Sequence, residues 1–457
     1  MSEKKRRYPD YDALWHLVSM GVLTPDHTPN GWQPPAATDR KARVAMIDTS
    51  VAVTHPNLAP AINSTLALDL FSTRLGAFPY LDDDKIGALD LNTKTKVTTG
   101  LPRSSDLLAE LIDRLSHGSP AREGSIRPMT SPEFSNHGTA IAGLIGSRPG
   151  ILSETLETGE PDPNFKDIPL PYCGVDPTCE IVPISTNFNP DPEHLILALL
   201  YAELIDADVI LIPRVFSDPS RTVPELNQII DGVPLRDLVA PTPHDPSDME
   251  AWEELATLLI NISMQRPIVC AAGNSQEDHG IYPANLASEH NGIIAVGAVN
   301  AKGFNSGYSA TRNVTISAPS DDAQIYDRKE VRLDPNARST SEMPEGVPSN
   351  DKFSSFDIIS TDVPGIFGYS AGPFTRDDPD LGIHEFGSYF CSFGGTSASS
   401  ALVAGFLSLA HSTGALAKDT DGLAAKDWLL SRSVKIKDGA EQTHFLSWDG
   451  KPKFPDA

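Results

Sequence analysis

Short apolar runs recur along this chain, and each stops at a polar residue or a glycine. Residues 44–47, 207–212, 267–272, 292–299 and 314–318 are of this kind. Runs of that length, without alternation, read as strands buried on both faces of a parallel sheet. A further strand follows the turn at 173–179 and ends near Ser185. Between the strands lie segments with helical spacing, at 192–205, 252–264, 398–410 and 422–430. Strand and helix alternate, which predicts an α/β fold around a parallel sheet. The segment 398–410 contains no charged residue and is therefore expected to be buried on most sides. A weaker helical pattern covers 11–22, through Leu14, Trp15, Val18 and Val22, and an amphipathic one lies near 105–115. Stretches near 59–132, 217–248 and 319–388 are rich in Pro, Asp and Ser and poor in apolar runs, so they read as long loop insertions. The expected organisation is a leader over 1–41, a main body over 42–435 and a tail over 436–457.

Composition narrows the picture in one respect. Of the 457 residues, 40% are hydrophobic and 21% charged, ordinary values for a globular protein. The net charge of −25 is not ordinary, and it argues against a nucleic-acid or anionic-membrane partner. No apolar run reaches the ~18 residues of a membrane span, and the polar start Met1-Ser2-Glu3-Lys4-Lys5 does not read as a signal peptide. The expectation is a cytoplasmic protein. Cys173, Cys179, Cys270 and Cys391 lack metal-ligand spacing and are expected as reduced thiols, with a local Cys173–Cys179 bridge as the alternative. No cofactor and no metal ligand are expected. The acidic triplet Asp82, Asp83 and Asp84 reads as a solvated loop, with a structural calcium ion as the alternative its oxygens would suit.

Candidate chemistry sits at the ends of these elements. Asp48 closes the 44–47 strand, and ligands of open α/β sheets bind beyond the carboxyl ends of the strands. His137 opens an Ala- and Gly-rich helix. Ser397 follows Gly394 and Gly395 at the start of the buried helix, where backbone N–H groups and a positive field suit a nucleophile that passes through an anionic intermediate. Each residue has a plainer reading: Asp48 as a turn cap, His137 as a core histidine, Ser397 as a helix cap.

Together the motifs resemble those of the subtilisin-like serine proteases, the subtilases of peptidase family S8. Ile47-Asp48-Thr49-Ser50-Val51 with His55-Pro56-Asn57-Leu58 looks like the family's aspartate motif, and Asn136-His137-Gly138-Thr139 its histidine motif. Ala271-Ala272-Gly273-Asn274 looks like the oxyanion motif and Gly395-Thr396-Ser397 the serine motif. The order Asp, His, Ser is that of subtilisin. The resemblance implies a three-layer subtilisin-like fold, with a mostly parallel central sheet and helices on both faces. It implies a Ser397 nucleophile, a His137 base, an orienting Asp48, and an oxyanion hole from the Asn274 amide and the Ser397 N–H. The implied activity is a serine endopeptidase working through an acyl-enzyme, selective and regulated inside the cell, on a peptide or protein substrate with a regulatory protein partner.

The chain also departs from the family pattern. Ser50 stands where the family has glycine and Ala140 where it has histidine. Ala398, Ser399, Ala401 and Leu402 replace the usual residues after the serine, and Ala401 loosens a turn normally fixed by proline. Pro213-Arg214-Val215-Phe216 replaces a common Ser-Leu-Gly-Gly edge on which substrate lies as an added strand. These four are the candidate substrate-binding residues. A reshaped, narrowed cleft is expected, with Arg214 selecting an acidic side chain. The leader or the 319–388 insertion is expected to cover the cleft until a signal moves it. Two alternatives stay open: a catalytically silent subtilase-fold peptide-binding protein, and a transpeptidase or peptide cyclase.

Overall fold

The computed structural model describes residues 13–36, 40–70, 94–117, 136–153, 167–187, 190–216, 229–230, 233–234, 246–275, 279–322, 351–354, 356–364, 368–370, 376–378, 383–385, 389–438 and 441–456. The acidic triplet at 82–84, and much of the three expected insertions, lie outside these residues. A nine-stranded sheet forms the middle layer. Its strands are β1 (Arg43–Asp48), β2 (Leu68–Asp69), β3 (Glu180–Ser185), β4 (Val209–Ile212), β5 (Ile268–Ala271), β6 (Ile293–Val299), β7 (Ile316–Pro319), β10 (Ser433–Asp438) and β11 (Glu441–Leu446). A separate antiparallel pair joins β8 (Ile358–Thr361) to β9 (Phe390–Phe393). Across the main sheet the order is β10-β11-β7-β6-β5-β4-β1-β3-β2, parallel throughout except for the β10–β11 pair.

Side-chain alternation along the strands divides the apolar residues between two cores. Val44 and Met46 of β1, Val209 and Leu211 of β4, Val269 of β5 and Ile294 and Val296 of β6 face one side. Ala45 and Ile47, Ile210 and Ile212, Ile268 and Cys270, and Ile293 and Ala295 face the other. A strand has a period of two residues, so a continuous apolar run must be covered on both faces. The first side is covered by α1 (Trp15–Ser19), α3 (Asn136–Gly146), α6 (Gly395–Ser412) and α7 (Gly422–Ser431). The second is covered by α2 (Pro102–His117), α4 (Pro192–Leu204) and α5 (Pro246–Ser263). This is the three-layer α/β arrangement expected from the sequence.

Several boundaries differ from expectation. Leader residues Leu14, Trp15, Leu17, Met20, Val22 and Trp32 belong to the first core. Trp15 is 2% exposed, and its Nε1 donates to the Asp357 carbonyl at 2.9 Å. Residues 13–23 and Trp32 are thus part of the body, while residues 25–29 are exposed, and the buried part of the leader does not match a detachable cover. The C-terminal segment is also structural. Residues 433–446 form a hairpin, β11 joins the sheet beside β7 through Ser317 and Phe445, and Trp448 N–H donates to the Met20 carbonyl at 2.7 Å. Within the expected insertions, β2, α2 and β8 are packed elements. The apolar residues of β8 are too few to stand out, and its Thr361 and Ser360 hydroxyls go to the carbonyls of Thr139 and Ala140 in α3. None of the four cysteines is in a disulfide. Among the described residues no helix is long and apolar enough to cross a membrane.

Large-to-small changes at buried aromatic sites cost about 3–5 kcal/mol through lost contacts and a residual cavity. Trp15→Ala is therefore expected to lower stability by about that amount, read as a fall in the denaturant midpoint at unchanged slope. A loss below about 1 kcal/mol would show that the leader is not part of the core.

Candidate active site

Strand parity and sheet order bring the candidate residues together. Asp48 ends β1 in phase with Val44 and Met46, the side covered by α3 and α6. His137 is the second residue of α3 and Ser397 the third of α6. β4 lies between β1 and β5, so Pro213 and Arg214, just past β4, sit between Asp48 and the Gly273-Asn274 turn past β5. All these positions are at one carboxyl edge.

The imidazole of His137 contacts Asp48 through Nδ1, at 2.8 Å from Oδ2 and 3.0 Å from Oδ1. Asp48 is fully buried. The start of α3 docks on the loop after β1: Gly138 N–H donates to Thr49 Oγ1 at 3.0 Å, and Ala52 N–H donates to Thr139 Oγ1 at 2.9 Å. A Cβ on Gly138 would lie 2.6 Å from the Thr49 and Ser50 carbonyl oxygens, so only glycine lets α3 approach this closely. The Phe393 ring meets the imidazole edge-on at 5.4 Å.

Ser397 is buried, and its hydroxyl donates to the Pro213 carbonyl at 2.8 Å. A hydroxyl has one proton to give, so this bond must break before His137 can accept that proton. Asn274 is fixed by its oxygen: Oδ1 accepts from Thr396 N–H at 2.8 Å and from Thr396 Oγ1 at 2.9 Å. The amide group Nδ2 is left as the donor end, beside the first turn of α6. Gly395 has φ +78°, and its N–H donates to Tyr308 Oη at 3.0 Å. Tyr308 Oη in turn lies 2.8 Å from Asp321 Oδ1. The entry to the serine helix is therefore held by a half-buried tyrosine and a buried carboxyl.

The four candidate substrate residues are distributed unevenly. Pro213 is buried, with its carbonyl engaged by Ser397. Val215 is 38% exposed and stands out into solvent. Phe216 N–H donates to the Tyr282 carbonyl at 2.9 Å, and its ring lies under the Arg214 guanidinium at 5.5 Å. Arg214 points inward: it is buried, and its Nε lies 3.1 Å from Asp48 Oδ1. Its charge is engaged within the protein, which does not match the expected selection of an acidic substrate side chain. Sequence reasoning missed Thr49, Thr396, Tyr308 and Asp321, which act through backbone and amide contacts. Thr396 was inside a recognised motif, but its role needed the loop after β5 to be placed beside it.

The next carboxyl, Asp322, is also buried. Its Oδ2 accepts from Asn300 Nδ2 at 2.6 Å and from Ser354 N–H at 2.7 Å. Burial raises Asp321 to about 6 and Asp322 to about 7. Among the described residues no group of three or more His, Cys, Asp or Glu side chains could hold a metal ion.

The chain matches the family model described as the subtilase family, Peptidase_S8, over residues 39–441. No curated protein matches it. Among solved structures it is similar to the nisin leader peptidase NisP from Lactococcus lactis, at 15% identity over 96% of this chain and 94% of that one, with a TM-score of 0.50. It is also similar to fervidolysin from Fervidobacterium pennivorans, a keratinolytic enzyme related to subtilisin, at 15% identity over 98% of this chain and 46% of that one, with a TM-score of 0.46. A cold adapted subtilisin-like serine proteinase aligns at 13% identity over 96% and 98% of the two chains, with a TM-score of 0.45.

Two outcomes follow from this geometry. Thr396→Val removes the hydroxyl that holds Asn274 and is expected to lower kcat about tenfold with little change in KM, the pattern of an interaction realised only in the transition state; an unchanged kcat in steady-state assays would refute that role. For Asp322, a folded-state value raised to about 7 means that ionisation costs stability. The cost is absent below the unfolded value near 3.8, grows as pH rises, and is complete above about 7. Relative to Asp322→Asn, the wild-type melting temperature should therefore fall between roughly pH 4 and 7, the window between the two values, and parallel curves would refute it.

Proposed function

The chain belongs to the subtilase family, whose members are serine proteases, and from the site we propose a serine endopeptidase that works through Asp48, His137 and Ser397. The observation that carries this reading is the Asp48–His137 contact at 2.8 Å, set at the same sheet edge as Ser397 and an Asn274 whose amide is oriented by Thr396. The Ser397 hydroxyl turns from the Pro213 carbonyl to His137 Nε2, gives up its proton there, and its oxygen attacks the substrate carbonyl. The oxyanion is met by Asn274 Nδ2 and the Ser397 N–H at the start of α6. His137 then protonates the leaving amine. Water, deprotonated by the same imidazole, releases the acyl group. Asp48 fixes the tautomer with Nδ1 protonated and stabilises the imidazolium.

A substrate lying along the 213–216 edge would meet the exposed Val215 and the Phe216 ring where a glycine pair would leave room. A narrow, selective cleft fits that edge. Four free cysteines suit a reducing compartment, consistent with action inside the cell.

One observation favours the silent peptide binder: the Ser397 proton is directed at Pro213 instead of His137. The two readings separate in one experiment. A fluorophosphonate probe is expected to label wild-type protein at Ser397 and to leave Ser397→Ala unlabelled. Asn274→Ala should reduce kcat by about 10²–10³, the range the handling of subtilisin, a member of this same family, sets for one side-chain oxyanion donor. Wild-type protein that resists the probe, while still binding peptides, would establish the binder. Product analysis with an added amine nucleophile would reveal acyl transfer.

A further inference from the structure

The carboxylate beside the imidazole has a second partner that peptide hydrolysis does not require. Arg214 is 6% exposed, and its Nε is 3.1 Å from Asp48 Oδ1. The rest of the guanidinium is held in place. Nη1 donates to the Asn187 carbonyl at 2.8 Å, Nη2 donates to the Thr186 hydroxyl, and the Phe216 ring lies 5.5 Å from Cζ. Arg214 follows β4 and reaches across the end of β1 to residues just past β3. Those three strands are neighbours in the sheet, so the guanidinium ties their carboxyl ends together under the imidazole.

This contact has two consequences of different kind. The guanidinium, pinned through Nη1 and Nη2, holds its charge with Nε 3.1 Å from the carboxylate oxygen; an ion pair to a fixed cation restrains the carboxylate, and a restrained carboxylate restrains the imidazole. The guanidinium is also a permanent positive charge. Burial lowers its proton affinity from the usual arginine value, the charge of Asp48 opposes that shift, and a guanidinium remains protonated in proteins. When His137 takes the serine proton, a second positive charge develops on the other side of the same carboxylate. Part of the stabilisation Asp48 offers the imidazolium is then already committed to Arg214.

We propose that Arg214 is a positioning residue that fixes Asp48 by a second ion pair and, by opposing imidazolium formation, moves the acid limb of catalysis to lower pH. Its catalytic meaning rests on the protease reading above. Where the family pattern has leucine, this chain places a charge, so the effect belongs to this protein and not to the shared triad.

Other titratable groups are linked to this place through Tyr369. Tyr369, on the loop at 368–370, feels the charges of Asp48 and Asp362, and burial pushes it up, so it stays neutral. Burial pushes the Cys391 thiol of β9 well up. Asp362 accepts N–H bonds from Val363, Tyr369 and Ser370, and burial raises it to about 6. It titrates in the range of interest and serves as the control through Asp362→Asn.

The test compares full-length wild type, Arg214→Met and Arg214→Lys, each with and without Asp362→Asn. Two readouts are taken against pH: the rate of fluorophosphonate labelling at Ser397, and the NMR titration of the His137 ring. In Arg214→Met both midpoints are expected to move to higher pH by about one unit, the scale of one charge at this distance in a partly screened site. Arg214→Lys, which keeps the charge, is expected to move them by less than half as much. A folded Arg214→Met whose midpoints match wild type overturns the proposal and leaves Arg214 as packing. Should that variant fail to fold, Thr186→Val releases one guanidinium anchor and is expected to shift both midpoints upward by a smaller amount; no shift overturns the proposal equally. Wild-type protein that never reacts with the probe refutes the protease reading instead, and the His137 titration still decides what Arg214 does.

Discussion

A carboxylate without solvent keeps its charge only if its surroundings replace what water would supply. Asp48 is such a group, fully buried at the end of a central strand. Its surroundings are an imidazole from α3 and a guanidinium from the loop after β4. Each partner has to be delivered by a different element, so the charge of one residue constrains the placement of three. The helix carrying the imidazole reaches its position only because Gly138 lets it lie against the Thr49 and Ser50 carbonyls. The guanidinium reaches its position only because β4, β1 and β3 are adjacent. Removing either partner leaves the other elements packed around an undercompensated buried ion.

The serine side of the site is organised by hydrogen bonds to backbone instead of by charge. Thr396 orients Asn274, Tyr308 Oη accepts from the Gly395 N–H, and the Pro213 carbonyl accepts a hydrogen bond from the Ser397 hydroxyl. In the proposed mechanism these contacts set the resting position from which the Ser397 hydroxyl turns to His137. The segment just past β4 supplies both the resting acceptor for the serine and the cation for the aspartate. One short stretch, Pro213-Arg214, thus touches both Ser397 and Asp48.

The sequence carried the strand and helix core well where composition was one-sided. Val44–Ile47, the run before Asn274 and the uncharged helix after Ser397 have a single physical solution, burial between layers. The family motifs located Asp48, His137, Asn274 and Ser397, which the structure brings to one edge. Arg214 was noticed, but its direction was not legible: a side chain at a strand end points inward or outward according to which strand is its neighbour, and sheet order is a long-range property. The leader and the final hairpin were misread as peripheral for a related reason. The apolar pattern around Trp15 is short and that around Phe445 shorter still, and their partners lie elsewhere: Trp15 packs on Phe356 and bonds to Asp357, and Phe445 pairs with Ser317 of β7. Periodicity reports local amphipathicity, and these residues take their burial from partners far along the chain, Asp357 for Trp15 and Ser317 for Phe445.

The joining of leader and C-terminal hairpin bears on how the molecule comes to be. The Trp15–Asp357 bond spans 342 positions, and Met20 awaits Trp448. Closing loops of that length costs entropy before any contact compensates it, and folds rich in such contacts form slowly. During synthesis residues 13–23 precede β8 and the final hairpin, so their bonds to Asp357 and Trp448 wait until those segments have appeared. The first core is therefore among the last parts of the molecule to be completed, and α3 and α6, which carry His137 and Ser397, pack within that same core. A partly made chain would hold the chemical groups of the site without the layer that seats them.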